Sequence, residues 1–327
     1  MLKVPDEIMH YILIKLDKSS LKNAIQASSK IYRFMLTSKQ TWKKVLGNIS
    51  IFEACKNNSV WLLICCLNSG IDINTTDDLN QTCLHKSVIL GHKRQTKFLI
   101  ENNINVDLVD TMGYTALNYS ITYNRIPLFY LLINSNASMF KGRSLLFSAI
   151  LLDNFGMVRI ILNRQKQEFP VKDNKLLQLA ITTKNVSMVR LLLSYGYDPS
   201  FRDQDGWTCL HYAVQSSSVV IIKLILNAKV DVNVGDDFGL TPLHISVHKS
   251  SIKILTLLLE NGADPNVVSH SGITPLYHAC RDGYYNGCVE LIKYGANPLI
   301  STKMGLNAID IAFERNETEI IMLLQNK

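Results

Sequence analysis

The sequence predicts an all-α chain, a solenoid of helix pairs joined by β-hairpin fingers, with a three-helix domain at its N-terminus. Three observations carry the solenoid. A four-residue phrase returns in phase, as Thr82-Cys-Leu-His85, Thr115-Ala-Leu-Asn118, Thr208-Cys-Leu-His211, Thr241-Pro-Leu-His244 and Thr274-Pro-Leu-Tyr277. Five positions past the first residue of each phrase stands a small side chain, for example Ser87, Ser120, Ala213, Ser246 and Ala279. A second apolar stretch follows, such as Met188-Val-Arg-Leu-Leu-Leu193. Units of this length cannot bury their own apolar faces and must stack on their neighbours.

Taking the Thr as anchor, the units begin at Ile49, Thr82, Thr115, Ser144, Lys175, Thr208, Thr241, Thr274 and Asn307, spaced by 33 residues except for 29 and 31 in the middle. Thr is a favourable N-cap, and Pro242 and Pro275 fall at the first helical position, where a missing amide hydrogen costs nothing. The second helix of a unit stops 21 residues past the anchor, at Gly70, Asn103, Asn136, Gly196, Gly262 and Gly295. Gly and Asn best tolerate the left-handed turn at a helix end; Lys229 and Gln165 break the pattern. The Thr-Pro-Leu-His opening, the Leu-rich second helix, and the loops Gly262-Ala-Asp-Pro-Asn266 and Gly295-Ala-Asn-Pro298 resemble the ankyrin repeat. The resemblance spans residues 49–327 as about nine repeats, irregular in the middle, with the sixth to eighth nearest the family pattern.

Residues 1–48 lack the repeat and form a separate expected domain. Pro5 with Asp6 and Glu7 makes a good first helical turn, acidic at the positive end of the helix dipole. Ile8, Ile12 and Leu16 form one apolar stripe; Leu21, Ala24, Ile25, Ser28 and Tyr32 form another. The order Val4-Pro-Asp-Glu-Ile8, Ile12-Leu13, Ser28-Ser-Lys-Ile-Tyr-Arg33 and Trp42-Lys-Lys-Val-Leu46 resembles an F-box, with Val4 in place of the usual Leu. That resemblance implies a substrate receptor of an SCF-type cullin–RING ubiquitin ligase, with Val4, Pro5, Ile8, Ile12, Leu13, Leu16, Leu21 and Trp42 docking a Skp-type adaptor. The same helices also suit a cap for the solenoid, which needs a polar outer face at its ends. With no Gly- or Pro-rich linker between Trp42 and Ile51, the head is expected to pack rigidly on the first repeat.

The chain of 327 residues has a formal charge of +7. Nine Lys and Arg against three Asp and Glu place +6 of it in residues 1–48. A basic head suits an acidic partner. The repeats lack an Arg-rich stripe with interleaved aromatics, so nucleic acid is not an expected ligand. Met1-Leu-Lys-Val-Pro-Asp6 does not read as a signal peptide, and the longest apolar run, residues 61–67, is too short for a bilayer. The expected location is cytoplasmic or nuclear, or the host cytoplasm for a bacterial or viral effector. Seven cysteines without a C-x-x-C pair suit a reducing compartment and packing roles, not zinc. His85, His211 and His244 recur at one place in the unit, and the family resemblance gives that His a bracing task. No phosphate loop, nucleophile elbow or metal-binding pair stands in the sequence. The expectation is a non-catalytic protein without cofactor or metal.

Partner binding is expected at the finger tips and inner helix ends. The residues just before each anchor, Gln81, Tyr114, Trp207, Leu240, Ile273 and Leu306, are read as tips, with Phe238 beside them. Exposed aromatics are common hot spots, which favours Trp207, Phe238 and Tyr114; helix ends add Tyr123, Arg125, His248, Lys249, Arg281 and Tyr284. Two middle fingers are shorter than the rest, by four residues before Ser144 and by two before Lys175. They predict a notch flanked by Tyr114 and Trp207. At the last unit Ile320, Ile321, Leu323 and Leu324 are expected to be partly exposed. The competing readings of the whole are an ankyrin scaffold whose head is only a cap, and a bacterial or viral effector that borrows a host ligase.

Overall fold

The computed structural model describes residues 50–139, 141–142, 144–168 and 173–325. The head residues Val4, Pro5, Ile8, Ile12, Leu13, Leu16, Leu21 and Trp42, the anchor Ile49, and the junction with the first repeat lie outside them. Two compact units make up the chain, residues 1–149 and 150–327, and each is described by itself.

In the first unit, α1 (Ile51–Lys56), α3 (Cys83–Leu90) and α5 (Ala116–Thr122) stack as inner helices, backed by α2 (Val60–Asn68), α4 (Lys93–Glu101) and α6 (Ile126–Asn134). Helix α7 (Leu145–Leu151) spans the division. The second unit continues with α8 (Phe155–Glu168), α9 (Lys175–Thr182), α10 (Val186–Ser194), α11 (Cys209–Gln215), α12 (Val219–Asn227), α13 (Pro242–His248), α14 (Ile252–Glu260), α15 (Pro275–Arg281), α16 (Tyr285–Lys293), α17 (Ala308–Glu314) and α18 (Thr318–Gln325). Its inner helices α9, α11, α13, α15 and α17 stack in series.

The repeat phrase explains each inner helix. Thr82, Thr115, Thr208, Thr241 and Thr274 are the N-caps, and Pro242 and Pro275 open α13 and α15. A cap of this kind contributes about 1 kcal/mol. The Leu two positions on (Leu84, Leu117, Leu210, Leu243, Leu276) is at most 1% exposed, which contributes on the order of 2 kcal/mol each. The small residue at the fifth position is 0% exposed in all nine units, from Ala54 to Ala312, where a larger side chain would hold the helices apart. The helix stops are left-handed as expected. Lys229 keeps that conformation (φ 59°) although its side chain breaks the Gly/Asn pattern.

Three expectations need correction. Gln165 does not end its helix: α8 runs on to Glu168, and the stretch Arg164–Glu168 contains only good helix formers. Lys175 is the first helical residue and not the cap, which is Asn174. At the last repeat Ile320 and Leu324 are only 1% and 5% exposed, because they face inward across the pair, while Ile321 and Leu323 are partly exposed as expected and Phe313 and Met322 are more exposed still. Among the described residues no strand forms. The fingers are hairpins too tight for a ladder, with one isolated antiparallel bridge, Thr76 to Thr82.

Candidate partner-binding surface

Four of the fingers are built by an aspartate and a left-handed residue; in the fingers before Thr274 and Asn307, Ser269 and Thr302 take the aspartate's place. In the finger before Thr115, the Asp110 amide donates to the Tyr114 carbonyl at 2.9 Å and the Gly113 amide to the Asp110 carbonyl at 3.0 Å. Asp110 Oδ1 accepts from the amides of Met112 and Tyr114, each at 2.9 Å. Asp77, Asp203 and Asp236 do the same in their fingers. Neighbouring fingers are joined by one backbone bond apiece: Thr111 to Leu79 in the first unit, and Asp237 to Asp205, His270 to Phe238 and Lys303 to Ser271 in the second.

Histidine ties three of the inner helices, α3, α11 and α13, to the next finger. His244 Nδ1 accepts from the Thr241 amide at 3.1 Å, which leaves the proton on Nε2, and Nε2 donates to the Ile273 carbonyl at 3.0 Å. His85 reaches Tyr114 and His211 reaches Leu240 in the same way, at 3.2 and 3.1 Å. Burial favours the neutral ring: it lowers the His85 and His211 pKa and takes that of His244 down to about 4. These histidines are structural braces, as their repeated placement implies.

This geometry moves the finger tips. Tyr114, Trp207, Leu240 and Ile273 sit at the finger base and not at the tip, because their carbonyls are bound within the finger and their own amides, or the next residue, enter the cap. Tyr114 and Trp207 are half-buried, and Gln81 is buried. The exposed tips lie two residues earlier: Leu79, Met112, Phe238 and Met304 are 54, 59, 69 and 89% exposed. Phe238 is thus the one aromatic of the expected set that stands at a tip.

Two aromatic platforms form at the finger bases. In the first unit the rings of Tyr114, Tyr119 and Tyr123 follow one another at 5.4 and 6.1 Å. The Tyr119 hydroxyl donates to Asp110 Oδ2 at 2.5 Å, and the Gln81 side-chain amide donates to both groups. In the second unit Trp207 packs edge-on against Tyr212 at 5.1 Å, and the Tyr212 hydroxyl is bound to Asp203. Burial and the carboxylate bond raise the phenol pKa of both Tyr119 and Tyr212. Sequence reading missed Tyr119 and Tyr212; the signal was an aromatic just before the anchor paired with Tyr four residues after it.

The remaining expected contacts divide. Tyr123, His248 and Lys249 are exposed. The Arg125 guanidinium lies over Gly91 and donates to the Ile89 carbonyl at 3.2 Å, so it braces two repeats. Arg281 pairs with Asp282 at 2.8 Å. The hydroxyl of Tyr284 is buried, out of a partner's reach. Tyr114 belongs to the first unit and Trp207 to the second. The shortened finger before Ser144 turns at Gly142 (φ 79°) close over Asn118 and Thr115. The described cysteines Cys55, Cys66, Cys83, Cys209, Cys280 and Cys288 are buried packing residues. Among the described residues no group of three or more His, Cys, Asp or Glu could hold a metal, and no helix is long and apolar enough to cross a membrane.

Comparison with known proteins follows the same repeats. A family model of ankyrin repeats in three copies matches residues 51–140 and 177–269, and a second ankyrin-repeat model matches 247–294; no F-box family matches. An ankyrin repeat protein of fowlpox virus, FPV034, is 28% identical over 45% of this chain and 28% of its own length. A second from the same virus, FPV223, is 29% identical over 36% of this chain and 86% of its own length. The interferon antagonist OPG040 of vaccinia virus is 28% identical over 51% of this chain and 61% of its own length. The chain therefore spans less than two thirds of FPV034 and of OPG040. With more than half of its residues matched by one family model, and the same capped, His-braced helix pair repeated through both units, the chain belongs to the ankyrin-repeat family.

Proposed function

We propose that this chain is a non-catalytic substrate receptor of an SCF-type cullin–RING ubiquitin ligase. Its head docks a Skp-type adaptor through Val4, Pro5, Ile8, Ile12, Leu13, Leu16, Leu21 and Trp42, and its repeats hold the substrate protein. The single observation that carries the reading is the in-order F-box-like run from Val4 to Trp42, placed directly ahead of a protein-binding solenoid. The charge of +6 in residues 1–48 suits an acidic adaptor. The chemistry of ubiquitin transfer then belongs to the partners, and the complex works in the cytoplasm or nucleus.

A second reading is favoured by the relatives. They include fowlpox proteins and a vaccinia protein named as an interferon antagonist. On that reading the chain is an effector that places a host ligase, or the repeats alone, on a host protein. A plain scaffold whose head only caps the solenoid is the third.

Co-purification with a eukaryotic Skp adaptor tests the leading reading. Wild type is expected to bind stoichiometrically, and a Pro5→Ala/Leu16→Ala variant of unchanged helical circular dichroism is expected not to. A folded wild type that binds no adaptor paralogue overturns it and leaves the scaffold reading.

A further inference from the structure

On the first unit, exposed apolar side chains, oriented aromatic rings and carboxylates share one surface. The tips Leu79 and Met112 project from fingers joined by the Thr111-to-Leu79 backbone bond at 3.0 Å. From the base of the second finger the rings of Tyr114, Tyr119 and Tyr123 run in series, and the Asp110 and Gln81 bonds fix the middle ring. Rings held this way lose little freedom on binding, which is what makes aromatic anchors effective. Tyr123, which caps α5, is 46% exposed, and Leu90, at the equivalent place on the neighbouring α3, is 44% exposed.

The charge of this surface runs against that of the whole chain. Finger segments 72–81 and 105–114 carry Asp72, Asp77, Asp78, Asp107 and Asp110 and no Lys or Arg, in a chain of formal charge +7. Asp77 is paired with Lys86 at 2.7 Å and Asp110 is only 5% exposed, so the carboxylates open to a partner are those of the exposed Asp72 and Asp78. Burial raises the Asp110 pKa, yet the bonds from Tyr119, the Tyr114 amide and Gln81 outweigh it and hold the carboxylate ionised. Lys86 on α3 is already engaged, by Asp77 and Gln81 at 2.7 Å each.

We propose that this face of repeats two and three takes a basic segment of a partner protein. Arginine or lysine side chains of that segment lie over the tyrosine faces and beside the carboxylates, and its apolar side chains pack on Leu79 and Met112. A cation is drawn both by the ring faces and by the aspartates. An acidic segment is repelled, and a purely apolar one strips water from carboxylates without pairing them. The inference rests on the reading of the repeats as the partner-binding part of the chain, and it adds the chemistry of what they bind.

The test uses the full chain and end-labelled synthetic peptides of about twelve residues with equal apolar content and net charges from about −4 to +4, titrated by fluorescence anisotropy at about 150 mM salt. Affinity is expected to rise about tenfold or more from the most acidic to the most basic peptide, and to fall when salt is raised. Tyr123→Ala and Asp78→Lys, both at exposed positions, are each expected to weaken the most basic peptide about fivefold with unchanged far-UV circular dichroism. Phe238→Ala in the second unit is expected to leave it unchanged. Equal affinity across the series, or basic-peptide binding that ignores both first-unit variants, overturns the proposal. The Pro5→Ala/Leu16→Ala variant separates it from the ligase reading: loss of the adaptor with peptide binding intact leaves both standing, and wild type that binds peptide but no adaptor refutes only the ligase.

Discussion

Replacing His244 with Asn should make the protein less stable at neutral pH and less sensitive to acid. His244 is 1% exposed and makes two bonds, accepting from Thr241 and donating to Ile273. Asn118 shows what the replacement keeps, since its Oδ1 accepts from the Thr115 amide at 2.9 Å in the equivalent cap. What His244→Asn loses is the inter-repeat bond. The Ile273 carbonyl still accepts from the Ser269 amide at 2.9 Å, so it is not orphaned, and the loss should be about 1–2 kcal/mol with the gap left by the ring. The acid effect has the opposite sign. Burial lowers the His244 pKa from 6.5 to about 4, so between those values the unfolded chain binds the proton and the folded one does not. The stability it gives is whole above 6.5 and is lost as pH falls toward 4. At pH 5 that loss amounts to about 2 kcal/mol, and the variant escapes it. Urea unfolding followed by far-UV circular dichroism at pH 7.5 and 5 should show the variant behind at the first pH and level or ahead at the second. A deficit that stays constant between the two refutes both the assigned proton and the buried neutral ring.

Two further substitutions test the frame. Lys184 is exposed and held at φ 57°, where Gly91 and Gly283 stand in other repeats; Lys184→Gly should raise stability by about 0.5–1 kcal/mol in the same urea assay, left-handed strain outweighing the entropy glycine adds to the unfolded chain. Tyr284→Phe should leave stability unchanged or raise it by about 1 kcal/mol, because the hydroxyl it removes is buried without a protein partner; a loss larger than that in thermal melts would show the hydroxyl to be bonded.

What was legible in the sequence was whatever local chemistry decides. The caps, the small fifth position and the left-handed stops each depend on one residue and its backbone, so Thr208, Ala213 and Gly196 could be placed without a structure. The tips could not, because a hairpin's register depends on which two residues pair across it. Asp110 pairs with Tyr114, which sinks the tyrosine to the base and lifts Met112. The Asp five residues before the anchor and the Gly two before it held that register, but read singly they looked like loop residues. The end of α8 was hidden for another reason: Arg164-Gln-Lys-Gln-Glu168 offers no stop signal, so helix propensity alone set its length.

The aspartate that builds the finger also explains how neighbouring repeats come to present different surfaces on one frame. Asp110 and Asp236 make the same two turn bonds through one oxygen. In repeat three the other oxygen of Asp110 holds Tyr119, four residues past the anchor. In repeat seven that place is taken by Ile245, which is 9% exposed and has nothing to bond with. The cap and the finger turn are intact in both, because neither uses the fourth position. Change at that position, and at the tip two residues before the finger base, therefore alters what a partner meets while leaving the stacking interactions alone. It follows that Tyr119→Ile should weaken partner binding far more than it weakens the fold, whereas Asp110→Ala should damage both at once, since it removes the turn and the platform together.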